Sequence, residues 1–265
     1  MLLKELINKS WYGTIGYIAK EEDLEVLEQY ILYNLPVLQK YTGIIVATNY
    51  GADLQQANTA LWKKYFPEVI ILDLKINRGP NFGYCDLDDM LFDYCKDNSI
   101  EWLCKSANDI IIQESILDKK IKEADFYYTT SVGYSALFEP YTITVDKVYS
   151  TAEYFYPQTN YYFINVSKVD YLNDKQHVDE IYNKVQGVKR YNGKAWEYGF
   201  RSCEVLLKES VERNKLSHFN LIVPEKFTIL LNTIKQSQIH DPSHKNIMLD
   251  GICHYAYINE QVIEI

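Results

Sequence analysis

Apolar runs alternate with segments of helical periodicity through the first 112 residues of the chain. TIGYIA (14–19) is a short run with strong β propensity. The segment after it begins with acidic residues and has apolar residues at helical spacing, at Leu24, Leu27, Ile31 and Leu35. Three continuous apolar runs predict further strands, at residues 43–49, 68–74 and 101–112. Two intervening segments predict helices, at 53–66 and 86–98. This alternation predicts right-handed βαβ units and a mostly parallel sheet with helices on both faces.

The pattern changes after residue 125. Three aromatic-rich segments have β-like character, at residues 126–138, 141–149 and 161–166, and a long helix is predicted around Trp196 to Arg213. A polar tail follows at 240–255. Without internal repeats or a low-complexity linker, the sequence predicts one α/β domain over residues 1–265, with a mixed second half from about 126 to 265.

Composition narrows the class of protein. The 265 residues carry a formal net charge of −9 and no long basic run, which argues against nucleic acid as the main partner. The chain has no apolar stretch of the roughly 18–20 residues that span a bilayer, and its first residues lack the features of a signal peptide. We therefore expect a cytoplasmic protein. Five cysteines without CxxC spacing predict free thiols and no zinc site.

A cluster of carboxylates begins the predicted helix at 86–98. On a helical wheel Asp86, Asp88, Asp89 and Asp93 fall opposite the apolar residues of the segment. Asp86 stands where an N-cap is expected, and the first turn of a helix favours negative charge. The pattern therefore predicts a solvated helix face rather than a metal site.

The residues before that helix, Asn77 to Gly83, join the end of a buried strand to it. Ligands of open α/β sheets bind beyond the carboxyl ends of strands. A loop there with two glycines, Arg78 and a following helix N-terminus suits a phosphate group. The alternative is an ordinary turn with Arg78 in solvent, and the loop alone does not decide between them.

Asp109 follows the apolar residues of the strand predicted at 101–112. A carboxylate at that strand end, beside a phosphate-binding loop, is placed to bind Mg²⁺ or Mn²⁺, which take oxygen ligands and share them with substrate phosphates. The alternative is that Asp109 only accepts hydrogen bonds from backbone amides in a turn.

The order of elements, the loop NRGPNFG and a strand ending in Asn-Asp resemble the GT-A glycosyltransferases over about residues 12–115. Asn77, Gly79 and Gly83 match the loop of that superfamily, and Asp109 matches one acid of its D-x-D motif. The motif reads SAND here, so Ala107 replaces the first acid. The resemblance implies a Rossmann-type sheet, a nucleotide-sugar-binding half over about 1–125 and an acceptor-binding half after it.

The resemblance also implies further site residues. By position, Ala19, Thr48 and Asn49 would contact the base and ribose of the donor. Glu197, on the predicted helix with Arg201 and Glu204, would be the general base that deprotonates the acceptor hydroxyl. The alternative for Glu197 is an exposed ion pair with Arg201 at i,i+4 spacing.

The polar tail supplies two more candidates by the same resemblance. His244 would be a cation ligand and Lys245 would contact the diphosphate. A solvated tail is the alternative for both.

These features predict a glycosyltransferase that moves a sugar from a nucleotide-diphosphate donor, such as a UDP- or GDP-sugar, to a hydroxyl of a glycan, protein or lipid. Mn²⁺ or Mg²⁺ would assist. One alternative is a non-catalytic nucleotide-sugar or carbohydrate-binding protein, which the incomplete acidic motif favours. Another is a sugar nucleotidyltransferase, although the first strand lacks the expected Gly- and Lys/Arg-rich loop. The missing GxGxxG disfavours a dehydrogenase.

Overall fold

The computed structural model of the protein describes residues 1–51, 53–108, 110–130, 157–186, 188, 195–221, 247–249, 252–254 and 263–264. Its helices are α1 Leu3–Ile7, α2 Glu22–Leu38, α3 Gln55–Tyr65, α4 Pro80–Asp97, α5 Lys175–Gln186 and α6 Cys203–Arg213. Its strands are β1 Trp11–Ile18, β2 Gly43–Tyr50, β3 Ile70–Asp73, β4 Trp102–Ala107, β5 Ile111–Ile112, β6 Phe126–Thr130, β7 Pro157–Asn165, β8 His218–Asn220, β9 Ile247–Leu249, β10 Ile252–His254 and β11 Ile263–Glu264.

Seven strands form the main sheet in the order β3-β2-β1-β4-β7-β6-β8. The first four are parallel to one another, β7 is antiparallel to both β4 and β6, and β8 is parallel to β6. Strands β11, β9, β10 and β5 form a second sheet, so backbone near the C-terminal end pairs with the strand that follows β4. This confirms the predicted fold class, a mostly parallel α/β sheet with a mixed second part.

The strand order reverses at β1. The chain places β2 and then β3 on one side of β1, and it then crosses to place β4 on the other side. At such a reversal the connections leave in opposite directions, so a crevice opens beyond the carboxyl ends of the two central strands. The fold therefore indicates a ligand site above β1 and β4.

Alternating side chains of the central strands bury both faces of the sheet. Ile44 and Val46 of β2 belong to the core cluster that contains Trp62 of α3, whereas Ile45 and Ala47 belong to the cluster that contains Leu91 of α4. This alternation explains the continuous apolar run in β2, because a strand covered on both faces has no solvent side.

Helix α4 begins six residues earlier than the sequence predicted. Gly79, with φ +89°, is its N-cap, and Pro80 occupies the first turn, where a missing N–H costs nothing. The expected N-cap, Asp86, lies inside the helix. Asp88 and Asp89 are buried, so the prediction of a solvated acidic face is wrong for these two residues. Asn173, from the second half of the chain, donates to Asp89, and Lys105 of β4 lies against Asp88.

The helix predicted around Trp196 to Arg213 is also shorter than expected. Residues Ala195–Tyr198 form a separate 3-10 helix, and α6 begins only at Cys203. Gly199, at φ +90°, turns the chain between them, and the Ser202 side chain accepts a hydrogen bond from the Val205 N–H as the new N-cap. Glu197 and Glu204 therefore do not share a helix face.

Two helices were not predicted. Helix α1 is short, and α5 lies in the second half, with Asp174 accepting a hydrogen bond from the His177 N–H at its start. Its buried residues are Val178, Ile181 and Val185. That cap and spacing were available in the sequence as a helix signal. The β-like segment at 141–149 and most of the tail at 240–255 lie outside the described residues.

Within the part of the chain that is described, each helix is too short or too polar to cross a lipid bilayer.

Candidate functional site

The carboxyl ends of β1 to β4 lie along one edge of the main sheet, which we call the rim. It contains Ala19 after β1, Asn49 at the end of β2, Asp73 at the end of β3 and Asn108 after β4. The parallel pairing of these four strands brings together residues that are far apart in the sequence. The start of α4 follows β3 by a short loop.

At the strand-order reversal, Gly16 of β1 faces Asn108. A Cβ atom on Gly16 would lie 3.0 Å from Asn108 Nδ2, so the glycine makes room for this amide above the sheet. Asn108 is half-buried and directly precedes Asp109. The side-chain amide of the SAND motif therefore lies over β1, at the place where the fold indicates a ligand.

The start of α4 is ordered by Asn77 and two glycines. The Gly79 N–H donates to Asn77 Oδ1 at 2.8 Å, and the Gly83 N–H donates to the Gly79 carbonyl at 2.8 Å. Gly83 is therefore a helical residue of the first turn rather than part of a loop. The N-terminus of this 18-residue helix directs its positive dipole end toward the rim.

Asn49 lies against this first turn. Its Nδ2 atom is 3.8 Å from the position that a Cβ of Gly83 would take, and the Asn77 Oδ1 atom is 3.4 Å from the same position. The Asn49 side chain is 3% exposed, and its Oδ1 atom has no hydrogen-bond partner. A buried acceptor without a donor costs about 1–3 kcal/mol, so Asn49 is suited to a ligand that supplies one.

Thr48, the neighbouring candidate, is buried on the other face of β2, because successive strand side chains alternate. That face carries Tyr50, whose hydroxyl donates to Asp73 Oδ1 at 3.0 Å. Burial, followed by the hydrogen bond to Asp73, raises the pKa of Tyr50 to about 12. Thr48 and Asn49 are therefore adjacent in sequence but lie on different sides of the sheet.

Arg78 is already bound by carboxylates. Its Nε donates to Asp86 at 2.7 Å, its Nη2 also donates to Asp86, and its Nη1 donates to Asp179 of α5 at 2.6 Å. The guanidinium lies 4.9 Å from the centre of the Tyr182 ring. Arg78 thus ties the start of α4 to α5, and a phosphate would have to compete with two carboxylates for it.

Ala19 is exposed after the end of β1, but its N–H is already hydrogen-bonded. Asp23 Oδ2 accepts hydrogen bonds from the Ala19 N–H at 2.8 Å and from the Lys20 N–H at 3.1 Å. The two amides lie just before α2, whose first turn holds Glu22, Asp23 and Glu25. This exit is therefore acidic.

Glu197 is exposed on the 3-10 helix Ala195–Tyr198. Ala195 of that helix belongs to the same buried cluster as Phe82 from the first turn of α4. The predicted i,i+4 partner, Arg201, instead pairs with Asp174 at 2.8 Å and Glu209 at 2.5 Å. The fold thus brings the Glu197 segment toward the start of α4 without the helix that the sequence suggested.

Three predicted residues, Asp109, His244 and Lys245, lie outside the described residues. Among the residues that are described, no three His, Cys, Asp or Glu side chains form a group able to hold a metal ion. The described residues therefore do not by themselves make a site for Mn²⁺ or Mg²⁺.

A buried polar network behind the rim was missed by sequence reasoning. Lys105 of β4 is fully buried and donates to the Tyr84 hydroxyl and the Thr159 carbonyl. Thr159 Oγ1 in turn donates to Glu204 at 3.1 Å. A lysine within the apolar run EWLCKSA was the available signal, because a charge inside a buried strand requires polar partners.

No protein-family model and no curated protein matches the chain. Among solved structures it is similar to a 4-diphosphocytidyl-2C-methyl-D-erythritol synthase from Anaerococcus prevotii DSM 20548, with 12% identity and a TM-score of 0.43 over 87% of this chain and 99% of that one. It is also similar to a nucleoside-diphosphate-sugar pyrophosphorylase from Vibrio cholerae RC9, with 10% identity and a TM-score of 0.43 over 83% of this chain and 99% of that one. A third similar structure is a provisionally assigned nucleotide-diphospho-sugar transferase from Desulfovibrio desulfuricans G20, with 10% identity and a TM-score of 0.44 over 88% of this chain and 91% of that one. Likenesses this distant assign no activity to the chain.

Proposed function

We propose that the protein is a glycosyltransferase that uses a nucleotide-diphosphate sugar and transfers the sugar to an acceptor hydroxyl. The observation that carries the proposal is the position of Asn49. Its buried amide, with an unpartnered oxygen, lies at the N-terminus of α4 and beside the strand-order reversal.

The chemistry of that position fits a nucleotide. The Asn49 oxygen needs a donor, and a ribose hydroxyl supplies one. The N-terminus of α4 favours an anion within its first turn, and a diphosphate is such an anion. The Asn49 oxygen could thus accept a hydrogen bond from the ribose of a nucleotide while the N-terminus of α4 binds the phosphates of the same molecule.

In the transfer step, Glu197 is the proposed general base. It would take the proton of the acceptor hydroxyl as that oxygen bonds to the anomeric carbon, and the bond from that carbon to the diphosphate breaks. The shared packing of its segment with Phe82 of α4 supports this role. Asp109 and His244 are the proposed ligands of Mg²⁺ or Mn²⁺, which would stabilise charge on the departing diphosphate.

A sugar nucleotidyltransferase fits the exit of β1 less well. Such an enzyme binds a nucleoside triphosphate, and its phosphate loop would directly follow the first strand. Asp23 already occupies the Ala19 and Lys20 amides, and Glu22 stands beside it. These carboxylates would repel a triphosphate.

A binding and turnover experiment tests the proposal. Thermal shift with UDP, GDP, ADP and CDP, in buffer with Mg²⁺ and with Mn²⁺, identifies the nucleotide, since ligands that bind the native state raise its melting temperature. Calorimetry with that nucleotide then compares Asn49→Ala with Asn98→Ala. Asn98 is the C-cap residue of α4, at the end of that helix that lies away from Asn49. Its Nδ2 donates to the Tyr94 carbonyl at 2.8 Å. Asn49→Ala is expected to weaken binding about tenfold, and Asn98→Ala to leave it unchanged.

Turnover decides between the functions. Release of a nucleoside diphosphate from a sugar donor supports the proposal, and Glu197→Gln should abolish transfer while nucleotide binding persists. Pyrophosphate release from a nucleoside triphosphate and a sugar phosphate would instead identify a nucleotidyltransferase. Binding without turnover of any donor would identify a binding protein, and absence of nucleotide binding would refute the site.

A further inference from the structure

Side chains of α2 form hydrogen bonds with backbone groups at the connection between β4 and β5. This connection follows Ala107, the last residue of β4, and includes Asn108 of the SAND motif. Strand β5 pairs with β10 in the second sheet rather than with the main sheet. The position of the connection relative to the rim therefore depends on contacts other than the strand ladder of the main sheet.

Asn34 provides two of these contacts. Its Nδ2 donates to the Ile110 carbonyl at 3.0 Å, and its Oδ1 accepts from the Ile112 N–H at 2.7 Å. Nδ2 also donates to the Tyr30 carbonyl within α2 at 3.0 Å. Asn34 is fully buried, so water does not replace these bonds. The amide thus uses its donor and its acceptor on two backbone groups that flank Ile111.

Tyr30, one helical turn before Asn34, provides the third contact. Its hydroxyl donates to the Ala107 carbonyl at 3.3 Å and forms a hydrogen bond with the Tyr12 hydroxyl of β1. Tyr30 is 2% exposed. Asn34 and Tyr30 therefore form hydrogen bonds with the backbone on both sides of Asn108, from one helix that is itself packed on the main sheet.

We propose that Asn34 and Tyr30 are positioning residues of the candidate site, which fix where Asn108 of the SAND motif lies relative to the rim. This inference rests on the proposed function. Ala107 directly precedes Asn108 and Ile110 follows it two residues later, so a displacement of these two carbonyls moves Asn108. Misplacing reacting groups by about 1 Å can cost about a hundredfold in rate.

The pair of hydrogen bonds from Asn34 to the Ile110 carbonyl and the Ile112 N–H requires an asparagine. Only an amide side chain of this length offers a donor and an acceptor at once, so Asp lacks the donor and Leu lacks both. A buried residue kept only for packing could be exchanged for leucine. The two-sided bonding to Ile110 and Ile112 indicates that the backbone of the connection is what Asn34 holds.

The matched control is Asn173, which is also a buried asparagine. Its Nδ2 donates to Asp89 Oδ1 at 3.1 Å and to the Cys85 carbonyl at 3.4 Å. These contacts lie on the α4 side of the sheet, away from α2. Asn34→Ala and Asn173→Ala each remove a buried amide, so a general loss of stability should affect both variants alike. Tyr30→Phe keeps the ring and removes one hydroxyl.

Hydrogen exchange of the folded protein provides the first arm of the test, and it does not depend on activity. The Ile112 amide should exchange about tenfold faster in Asn34→Ala, because it loses its acceptor. Tyr30→Phe should accelerate exchange across residues 107–112 by a smaller factor, and Asn173→Ala should not. Unchanged exchange at Ile112 in Asn34→Ala would overturn the inference.

Turnover of the sugar donor provides the second arm. In Asn34→Ala the kcat should fall about tenfold while the KM for the donor changes less than about threefold, since nucleotide contacts at α4 persist. Asn173→Ala should keep both constants. Faster exchange with unchanged kcat would overturn the positioning role. A wild-type protein that turns over no donor would refute the proposed function, and with it this role, whereas an effect of Asn34→Ala on exchange alone refutes only the role.

Discussion

Lys105 Nζ lies 3.3 Å from Asp88 Oδ1, and both side chains are buried, with exposures of 0% and 4%. The pair joins the middle of β4 to the third turn of α4, directly behind the rim. Burial raises the pKa of Asp88 to about 6, although the Lys105 ammonium acts in the opposite direction. Such a pair depends on both members, because either charge alone in this place would lack compensation.

Lys105→Met should therefore lower the free energy of unfolding by about 3–5 kcal/mol, as measured by urea denaturation. The change keeps the length of the side chain and leaves the Asp88 carboxylate and the Tyr84 hydroxyl without their cation. Adding Asp88→Leu should restore part of the loss, since the uncompensated carboxylate is then gone.

The control for that variant is Lys64→Met. Lys64 pairs with Glu28 at 2.6 Å, but the lysine is largely exposed. Its loss should destabilise the protein much less than the loss of Lys105, because solvent screens an exposed ion pair. Equal effects of Lys64→Met and Lys105→Met would contradict the importance of burial.

Asp89 makes stability depend on pH. Burial, partly opposed by the hydrogen bond from the Asn173 N–H, raises its pKa from the usual 3.8 to about 7. The folded state then binds the proton more tightly than the unfolded chain. This contribution to stability is full below about pH 4 and is lost as pH rises through about 7.

Comparison with Asp89→Asn isolates this effect from other titrating groups, including His177, whose pKa is lowered chiefly by burial. Between pH 8 and pH 5 the stability of the wild type relative to Asp89→Asn should increase by about 2 kcal/mol. Urea denaturation at several pH values measures it. Parallel pH profiles of the two proteins would show that Asp89 does not titrate in this range.

The two glycines at the start of α4 should respond differently to alanine. Gly79 combines φ +89° with ψ 179°, a conformation that other residues rarely adopt, although an added Cβ would meet nothing within 4 Å. Gly79→Ala should therefore cost about 1–3 kcal/mol through backbone strain alone. Gly83 is helical, so Gly83→Ala should be neutral or stabilise by up to about 1 kcal/mol.

Thermal or urea unfolding of the two variants is the measurement, and each serves as the control for the other. A stable Gly79→Ala protein would mean that the cap of α4 is formed differently. A Cβ on Gly83 would lie 3.4 Å from Asn77 Oδ1 and 3.8 Å from Asn49 Nδ2. If Gly83→Ala were the more damaging change, these contacts would be tighter than those distances indicate.

The alternation of strands and helices from β1 to β4 followed from the sequence because apolar periodicity records which faces are covered. The single strand predicted at 101–112 is two strands in different sheets, and α1 was not predicted. Asn77, Gly79 and Gly83 were expected beyond a strand end, and Asn49 was implied only by the family resemblance. In the structure Asn49 and Asn77 both lie close to Gly83. A helical wheel could not show that Asp88 and Asp89 are buried. It separates apolar from polar faces but does not reveal what packs against the polar one.

The sequence alone thus determined the layered α/β architecture and the edge of the sheet where the candidate residues gather, because local periodicity and chain connectivity suffice for both. Only the tertiary structure decided the partners of individual side chains. Arg78 meets Asp179, Lys105 meets Asp88, and Asn34 meets Ile110 and Ile112. The reason is physical: a hydrogen bond or ion pair depends on distances of a few ångströms between segments that can be 100 residues apart, and spacing along the chain does not fix these.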